Sequence, residues 1–236
     1  MNIKLLQWNT WYKEDIKNKI SLLKEINADI YCLQELNEND NEFNHIKSKL
    51  ELKGYLRTTN TIHGSQGNAI LTKYSTVNSH TLYIKQPKEP STSFSDEARI
   101  YIETTLDING KKLIIGTTHM SYTKAFKEDK LRDEESQKLL NIIKEYKSSF
   151  IFCGDLNLTE KSKLVKSLDY NFKHAGPEYS EKTWATKEFD YGNFKVNSLD
   201  YRLDYVFTTE DINVINSKIV ETEYSDHLPI LVEFQI

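Results

Sequence analysis

Two short unbroken apolar runs, Ile30 to Leu33 and Phe150 to Cys153, each follow a segment whose apolar residues recur at helical spacing. A run of this kind suits a strand buried on both faces, and such strands occur in sheets covered by other layers. The helical segments are marked by Ile16, Ile20, Leu23 and Ile26, and later by Leu131, Leu139, Ile143 and Tyr146. The residues Met1 to Trp11, alternating polar and apolar, read as a strand. Further strand candidates are Asn68 to Lys73, Arg99 to Asp107, Leu113 to Thr118, Leu203 to Thr208 and Ile230 to Phe234. Asn109-Gly110, between two of them, predicts a two-residue turn and so an antiparallel pair. Strands outnumber helices, and the expected class is a mixed-sheet α/β protein.

No internal repeat, low-complexity tract or linker rich in Gly, Pro or Ser interrupts this order, so residues 1–236 are expected to form one domain. Two stretches read as loops. Tyr83 to Ala98 carries Pro87, Pro90 and a Ser/Thr cluster, and Glu178 to Asn197 holds Trp184, Phe189, Tyr191 and Phe194. A chain of 236 residues buries enough surface to need no disulfides, and Cys32 and Cys153 sit inside apolar runs as small core residues. The N-terminal residues lack the basic and apolar regions of a secretory signal, and no stretch approaches a membrane span, so a cytoplasmic protein is the expectation. The net charge of −4 argues against a surface that grips nucleic acid throughout. A cluster of carboxylates built for a cation contributes to such a balance.

The informative pattern is positional. Asn9, Glu35, His119 and the pair Asp155 and Asn157 each close an apolar strand-like run, Asp204 lies inside another, and Asp226-His227 precedes the last. Strand ends present side chains to one rim of a rigid sheet, where they can share a pocket. Any one of these residues is as readily a turn former or a helix or Asx cap. As a set they are harder to dismiss, because Gly154-Asp155-Leu156-Asn157 and Ser225-Asp226-His227 each combine an acid with a second functional group. Carboxylate and amide oxygens suit Mg²⁺ or Mn²⁺, and the lack of clustered His and Cys disfavours a zinc cage.

Trp8-Asn9, Leu33-Gln34-Glu35, Gly67-Asn68-Ala69-Ile70-Leu71, Thr118-His119, Gly154-Asp155-Leu156-Asn157, Arg202-Leu203-Asp204-Tyr205 and Ser225-Asp226-His227 resemble the ordered motifs of the endonuclease/exonuclease/phosphatase superfamily. The resemblance spans essentially the whole chain. It implies a four-layer α-β-β-α sandwich, two mixed sheets flanked by helices, with the site at one rim. It further implies that Glu35, with Asn9 and Asp226 nearby, holds the metal, that Asp155 orients or deprotonates the attacking water, and that Asn157 holds a phosphoryl oxygen. By the same resemblance His227 stabilises the developing charge or protonates the leaving group, with Asp204 fixing its tautomer.

His119 is similar to the histidine-bearing branches, which include DNase I, neutral sphingomyelinases, deadenylases and 5′-tyrosyl-DNA phosphodiesterases. Abasic-site enzymes have a tyrosine-bearing motif there and tend to have Gly-Trp where this chain has Asp200-Tyr201. Lys182-Thr183-Trp184 followed by Arg202-Leu203-Asp204 resembles the tyrosyl-DNA phosphodiesterase branch, although Thr159 stands where that branch places a phosphate-binding arginine. Asn68, Arg99 and Trp184 are the candidate substrate contacts, Trp184 as a face on which a base or tyrosine could stack. Trp11 and Tyr12 are read as cleft or packing residues with equal weight. His45, His63, His80 and His174, without motif context, are read as ordinary surface or loop residues.

The leading expectation is a Mg²⁺- or Mn²⁺-dependent phosphodiesterase or nuclease, acting on nucleic acid or a nucleic-acid adduct, with a monomer favoured. The alternatives are a phosphatase or phosphodiesterase on a lipid headgroup, nucleotide or sugar phosphate, and a catalytically inactive binding module.

Overall fold

The structure, a computed structural model, describes residues 1–88, 96–191 and 193–236. Residues 89–95 of the expected 83–98 loop, with Pro90 and its Ser/Thr cluster, lie outside the described residues, as does residue 192. Two mixed six-stranded sheets pack face to face. The first runs β13 (Asn213–Ile219), β14 (Ile230–Gln235), β1 (Asn2–Asn9), β2 (Ile30–Asn37), β4 (Gly64–Thr72) and β3 (Lys53–Thr61). The second runs β5 (Ser75–Lys85), β6 (Arg99–Ile108), β7 (Lys111–His119), β8 (Phe150–Asp155), β12 (Asp204–Thr208) and β9 (Lys173–His174). β1 pairs parallel with β2 across helix α1 (Ile16–Ile26), and β7 with β8 across α3 (Lys130–Ile143); the other strand pairs are antiparallel. These two crossovers are the twice-repeated helix and buried strand of the sequence.

Strand periodicity sorts the layers. Ile3 and Leu5 of β1, Ile30 and Cys32 of β2, Ile151 and Cys153 of β8 and Val206 of β12 join the apolar core between the sheets. Their neighbours face outward: Leu6, Trp8, Tyr31 and Leu33 pack with Leu22 and Leu23 of α1 and with Phe43 and Ile46 of α2 (Glu42–Lys49). On the opposite side, Phe150, Phe152, Tyr205 and Phe207 pack with Leu139 and Ile143 of α3 and with Leu164, Val165 and Leu168 of α4 (Lys163–Asn171). The result is the expected α-β-β-α sandwich. Both cysteines are free and buried.

Local chemistry sets the ends of these elements. Asp15, Asp129 and Ser162 cap α1, α3 and α4 by accepting backbone N–H bonds in their first turns. Asn109 and Gly110 both hold positive φ, 54° and 84°, as the turn between β6 and β7 demands. Missed from sequence are helices α2 and α4 and the strands that lack an apolar run. β3 and β5 are edge strands with mostly exposed or half-buried side chains, so Tyr83 to Lys85, expected in a loop, continue β5. The aromatic loop 178–197 folds back as a small hairpin of β10 (Phe189–Tyr191) and β11 (Phe194–Val196).

Lys19 of α1 and Glu42 of α2 form an ion pair at 2.9 Å with side chains 0% and 3% exposed, and Glu42 Oε2 also accepts the N–H of Asn37. Removing one partner leaves the other charge buried alone, so Lys19→Met is expected to destabilise the fold by roughly 3–5 kcal/mol. Urea denaturation would read the loss. A change within about 0.5 kcal/mol, the range of an ordinary surface substitution, would contradict it.

Candidate active site

Topology brings the polar strand ends to one rim. β1, β2, β7 and β8 end at Asn9, just past Glu35, at His119 and at Asp155, while the antiparallel β12 and β14 begin at or just after Asp204 and Asp226-His227. Asp204 lies directly opposite Asp155 in the β12–β8 register. The inter-sheet face thus changes along its length from aliphatic to polar, with Gln7 and Gln34 hydrogen-bonded side by side at the transition.

Glu35 reaches the site through an irregularity. Tyr31 and Leu33 face the helices, so strict alternation would send Glu35 after them. A bulge between Leu33 and Leu36, with Glu35 at φ 55°, turns its carboxylate toward the cleft instead. Gly154 is required by close approach: a Cβ there would sit 2.2 Å from the Thr118 carbonyl oxygen, so no other residue lets β8 lie against β7 at this point.

The side chains form one network. Asn9 Nδ2 donates to Glu35 Oε1 at 3.1 Å and to Asp155 Oδ2 at 2.9 Å, while Asn9 Oδ1 accepts the Trp11 N–H at 3.1 Å. Asp155 Oδ1 accepts the Asn157 N–H at 2.8 Å. The Asn157 Nδ2 lies 3.1 Å from His119 Nε2 and donates to the Met120 carbonyl at 3.0 Å. His227 Nδ1 lies 2.8 Å from Asp204 Oδ2, and its Nε2 lies 3.6 Å from Asp155 Oδ2. Ser225 Oγ accepts the His227 N–H and donates to the Asn9 carbonyl, tying the last motif to the first.

Burial and charge push these groups apart in acidity. Burial lowers His227, but the carboxylates of Asp204, Asp155 and Asp226 outweigh it and hold the imidazole well above its ordinary value, hence protonated at neutral pH. His119 goes the other way: burial, with Arg99, His227 and Arg132 nearby, holds it well below, hence neutral. Burial raises Asp155 to about 7, Asp204 adding to the shift and His227 opposing it. Glu35 is raised by burial and by the charge of Asp226, and Asp226 by burial. Crowded carboxylates with raised pKa values, on hard oxygen donors, fit a divalent cation that would relieve their repulsion.

These residues open on a cleft of about 610 Å³ lined by Glu35, Asp155, Asn157, Asp226, His119 and His227 at its floor. Arg99 is on the wall, paired with Glu97 at 2.8 Å and donating to Ser121 Oγ. Trp11, Tyr12, Tyr122, Phe189 and Tyr191 complete the sides.

Several expectations are corrected. Asn9 lies behind the carboxylates with its oxygen already taken by a backbone N–H, so it tethers Glu35 and Asp155 and presents no oxygen to the cleft. Asn68 is buried, reaches the Ile100 carbonyl at 3.4 Å and does not line the cleft itself, although it borders a small adjoining cavity with Glu35, Arg99 and His119. Trp184 lines the cleft as expected but is only 4% exposed, its rings met edge-on by Phe126 at 5.0 Å and Phe189 at 5.1 Å, so it offers no open stacking face; its Nε1 donates to Asp226 Oδ2 at 3.3 Å. His63, read as an ordinary surface or loop residue, is exposed in the turn between β3 and β4 and in addition lines the cleft, stacked on Tyr12 at 5.0 Å. His174, read as a surface or loop residue, is half-buried on β9, packed between Tyr179 and Phe207. Gln7, Gln34, Ser225 and Tyr122 were missed. The first two sit at the inward positions of their strands, a signal legible by counting from Ile3 and Ile30.

A four-layer α/β sandwich with acids, amides and two oppositely tuned histidines at one rim is the frame of a phosphoester-processing fold. The chain belongs to the endonuclease/exonuclease/phosphatase family, whose model matches residues 6–227. Members of this family are divalent-metal-dependent hydrolases of phosphoesters. Among solved structures, the human Nocturnin catalytic domain with bound sulfate aligns at TM-score 0.74 and 19% identity over 99% of this chain and 93% of that one. TDP2 from D. rerio, complexed with single-strand DNA product, aligns at 0.74 and 17% over 100% and 99%. The Bacteroides thetaiotaomicron mannosyl-6-phosphatase Bt3783 aligns at 0.69 and 16% over 99% and 100%. At these identities the likeness shows the fold. No curated protein is similar enough in sequence to match. No helix among the described residues is long and apolar enough to cross a membrane.

Proposed function

We propose that this chain is a divalent-metal-dependent phosphodiesterase acting on nucleic acid or a nucleic-acid adduct. The observation that carries the proposal is the pairing of a buried carboxylate that titrates near neutrality, Asp155, with a protonated imidazole, His227, 3.6 Å away on a shared cleft floor. Hydrolysis of a phosphodiester needs a proton acceptor for the attacking water and positive charge for the equatorial and leaving oxygens. Asp155 accepts the proton. His227 donates to the charged oxygens or to the leaving group, held in register by Asp204; Asn157 Nδ2, engaged by the Met120 carbonyl and by His119 Nε2, orients this corner of the floor. A family of metal-dependent enzymes and the cleft's crowded carboxylates support Glu35 and Asp226 as the ligands of Mg²⁺ or Mn²⁺, which would supply Lewis-acid stabilisation. Asp155, Asp204 and His227 also bring ligand atoms within 4.8 Å of one another. His227 Nδ1 is already engaged by Asp204 at 2.8 Å, which supports reading that trio as the proton-handling group. The site draws on both ends of the chain, which supports the one-domain reading.

The nucleic-acid side of the proposal is supported by the aromatic sides of the cleft, Trp11, Tyr12, Phe189 and Tyr191, which suit flat groups. A second reading, a sugar or nucleotide phosphate, is favoured by the mixed charge of the same cleft, in which Glu97, Glu188 and Asp190 stand beside Lys13, Arg99 and Lys187 and leave no excess of positive charge for a polyanion. Initial rates with Mg²⁺ on single-stranded DNA, a 5′-tyrosyl oligonucleotide, a sugar 6-phosphate and sphingomyelin separate the readings. Preference for either oligonucleotide supports the first, and preference for the sugar phosphate or the lipid overturns it.

A further inference from the structure

A buried charge network beneath the site has no role in the chemistry above. Arg132 and Glu135, both 1% exposed, sit one turn apart on α3 with Nη1 and Oε2 at 2.8 Å. Arg132 Nη2 donates to the carbonyl of Leu156, the residue between Asp155 and Asn157. Glu135 Oε1 accepts Ser121 Oγ at 2.6 Å and its Oε2 accepts the Ser121 N–H, and Ser121 Oγ in turn accepts Arg99 Nε at 3.3 Å. One continuous chain therefore joins the loop that carries Asp155 and Asn157 to the cation on the cleft wall.

We infer that Arg132 is a positioning residue, fixing the Asp155–Asn157 loop through Leu156 and, through Glu135 and Ser121, fixing Arg99. The loop needs such support. Asn157 holds φ 48°, a left-handed conformation that a non-glycine residue keeps only when its surroundings over-determine it. The Asp155 carbonyl is held by the Met120 N–H and the Leu156 N–H by the Leu203 carbonyl, which leaves the Leu156 carbonyl to the guanidinium. Burying an Arg–Glu pair is a poor route to stability alone, since an apolar pair of similar volume does as well or better. An arginine is suited to the position because its planar fork binds the carboxylate and the carbonyl at once, which a lysine does not.

This inference rests on the proposed hydrolysis for its kinetic arm, and a second arm is independent of turnover. The kinetic probe is bis(p-nitrophenyl) phosphate with Mg²⁺. Arg132→Met is expected to lower kcat by about 10²-fold through misplacement of the loop, with little change in KM, and Arg132→Lys to recover part of it. Ser121→Ala removes the hydroxyl that joins Glu135 to Arg99 and that Lys85 Nζ also reaches, leaves the Arg132–Leu156 contact in place, and is expected to raise KM severalfold with a much smaller loss of kcat than Arg132→Met. In hydrogen exchange, amides of residues 154–158 should exchange faster in Arg132→Met while those of β1 and β6 keep wild-type protection. If the wild-type protein is inactive, the hydrolase reading fails and the exchange arm alone decides the positioning role. If Arg132→Met does not fold, Glu135→Gln, which keeps the shape, should show the same kcat loss and local exchange. Wild-type kcat together with wild-type exchange at 154–158 in whichever variant folds would overturn the inference, whatever its Tm.

Discussion

Asp155→Asn is expected to lower turnover by roughly 10²–10⁴-fold, the usual contribution of a general base. The same substitution should raise the Tm of the metal-free protein at pH 8. The sign follows from linkage: burial lifts the folded-state pKa of Asp155 from 3.8 to about 7, so folding favours its protonated form. Stability from this carboxyl is greatest in acid and is lost as pH climbs through that interval, and asparagine removes the loss. The gain reads as about 2–4 °C for each kcal/mol recovered in a chain of this size. For the wild type, only the carboxylate accepts a proton, so the rate should rise as pH passes through the Asp155 pKa. A bound cation, adding positive charge nearby, moves this limb to lower pH. The rate should fall only where His227, held well above its ordinary value, loses its proton. An Asp155→Asn protein with unchanged turnover, or one less stable than wild type at pH 8, would remove the proposed role.

His227→Ala is expected to cost about 2–4 kcal/mol of transition-state stabilisation, as for a lost oxyanion donor. Asp204→Asn acts on the same group from behind. The 2.8 Å contact between Asp204 Oδ2 and His227 Nδ1 both orients the ring and favours its charged form, so its loss should lower the alkaline limit of the rate profile as well as turnover. Because the pair works as a unit, Asp204→Asn with His227→Ala should be scarcely slower than His227→Ala alone. Rate losses that multiply independently would show that Asp204 supports the strand and not the imidazole. Asp204 is well placed for that lesser role too, since Arg202 Nε donates to its carbonyl at 2.6 Å, so Tm is recorded for every member of the cycle.

Much of the frame was legible because strand periodicity and burial agree. Counting by twos from Ile3 puts Leu5, Gln7 and Asn9 on the inner face and Leu6 and Trp8 on the outer one, as the two apolar clusters show. The same count fails at Glu35, because the bulge that turns its carboxylate inward is a backbone event without a glycine or proline to announce it. Motif resemblance located Glu35 where geometry from sequence could not. Trp184 misled for a different reason. An aromatic residue in a long loop suggested an open face, yet the ring that covers it most squarely, Phe126, lies far away in sequence. Arg132 and Glu135 lie at i and i+3 on the same face as Leu139 and Ile143, but as charged residues they fall outside an apolar pattern and were not singled out. Their partners, the Leu156 carbonyl and Ser121, come from other parts of the chain, tertiary contacts that no local pattern carries. Edge strands β3 and β5 were missed because strands half open to water need no apolar run.

The central claim is that a cation held by Glu35 and Asp226 works with Asp155 and His227 to hydrolyse a phosphodiester. The direct measurement is turnover of bis(p-nitrophenyl) phosphate by the wild-type protein and Glu35→Gln, after EDTA treatment and during titration with Mg²⁺ or Mn²⁺. The predicted result is no turnover in chelator, full recovery in the wild type on adding metal, and a Glu35→Gln enzyme that is slower and needs more metal to reach its maximum. Undiminished hydrolysis in metal-free buffer, or a Glu35→Gln titration that overlays the wild type, would contradict it.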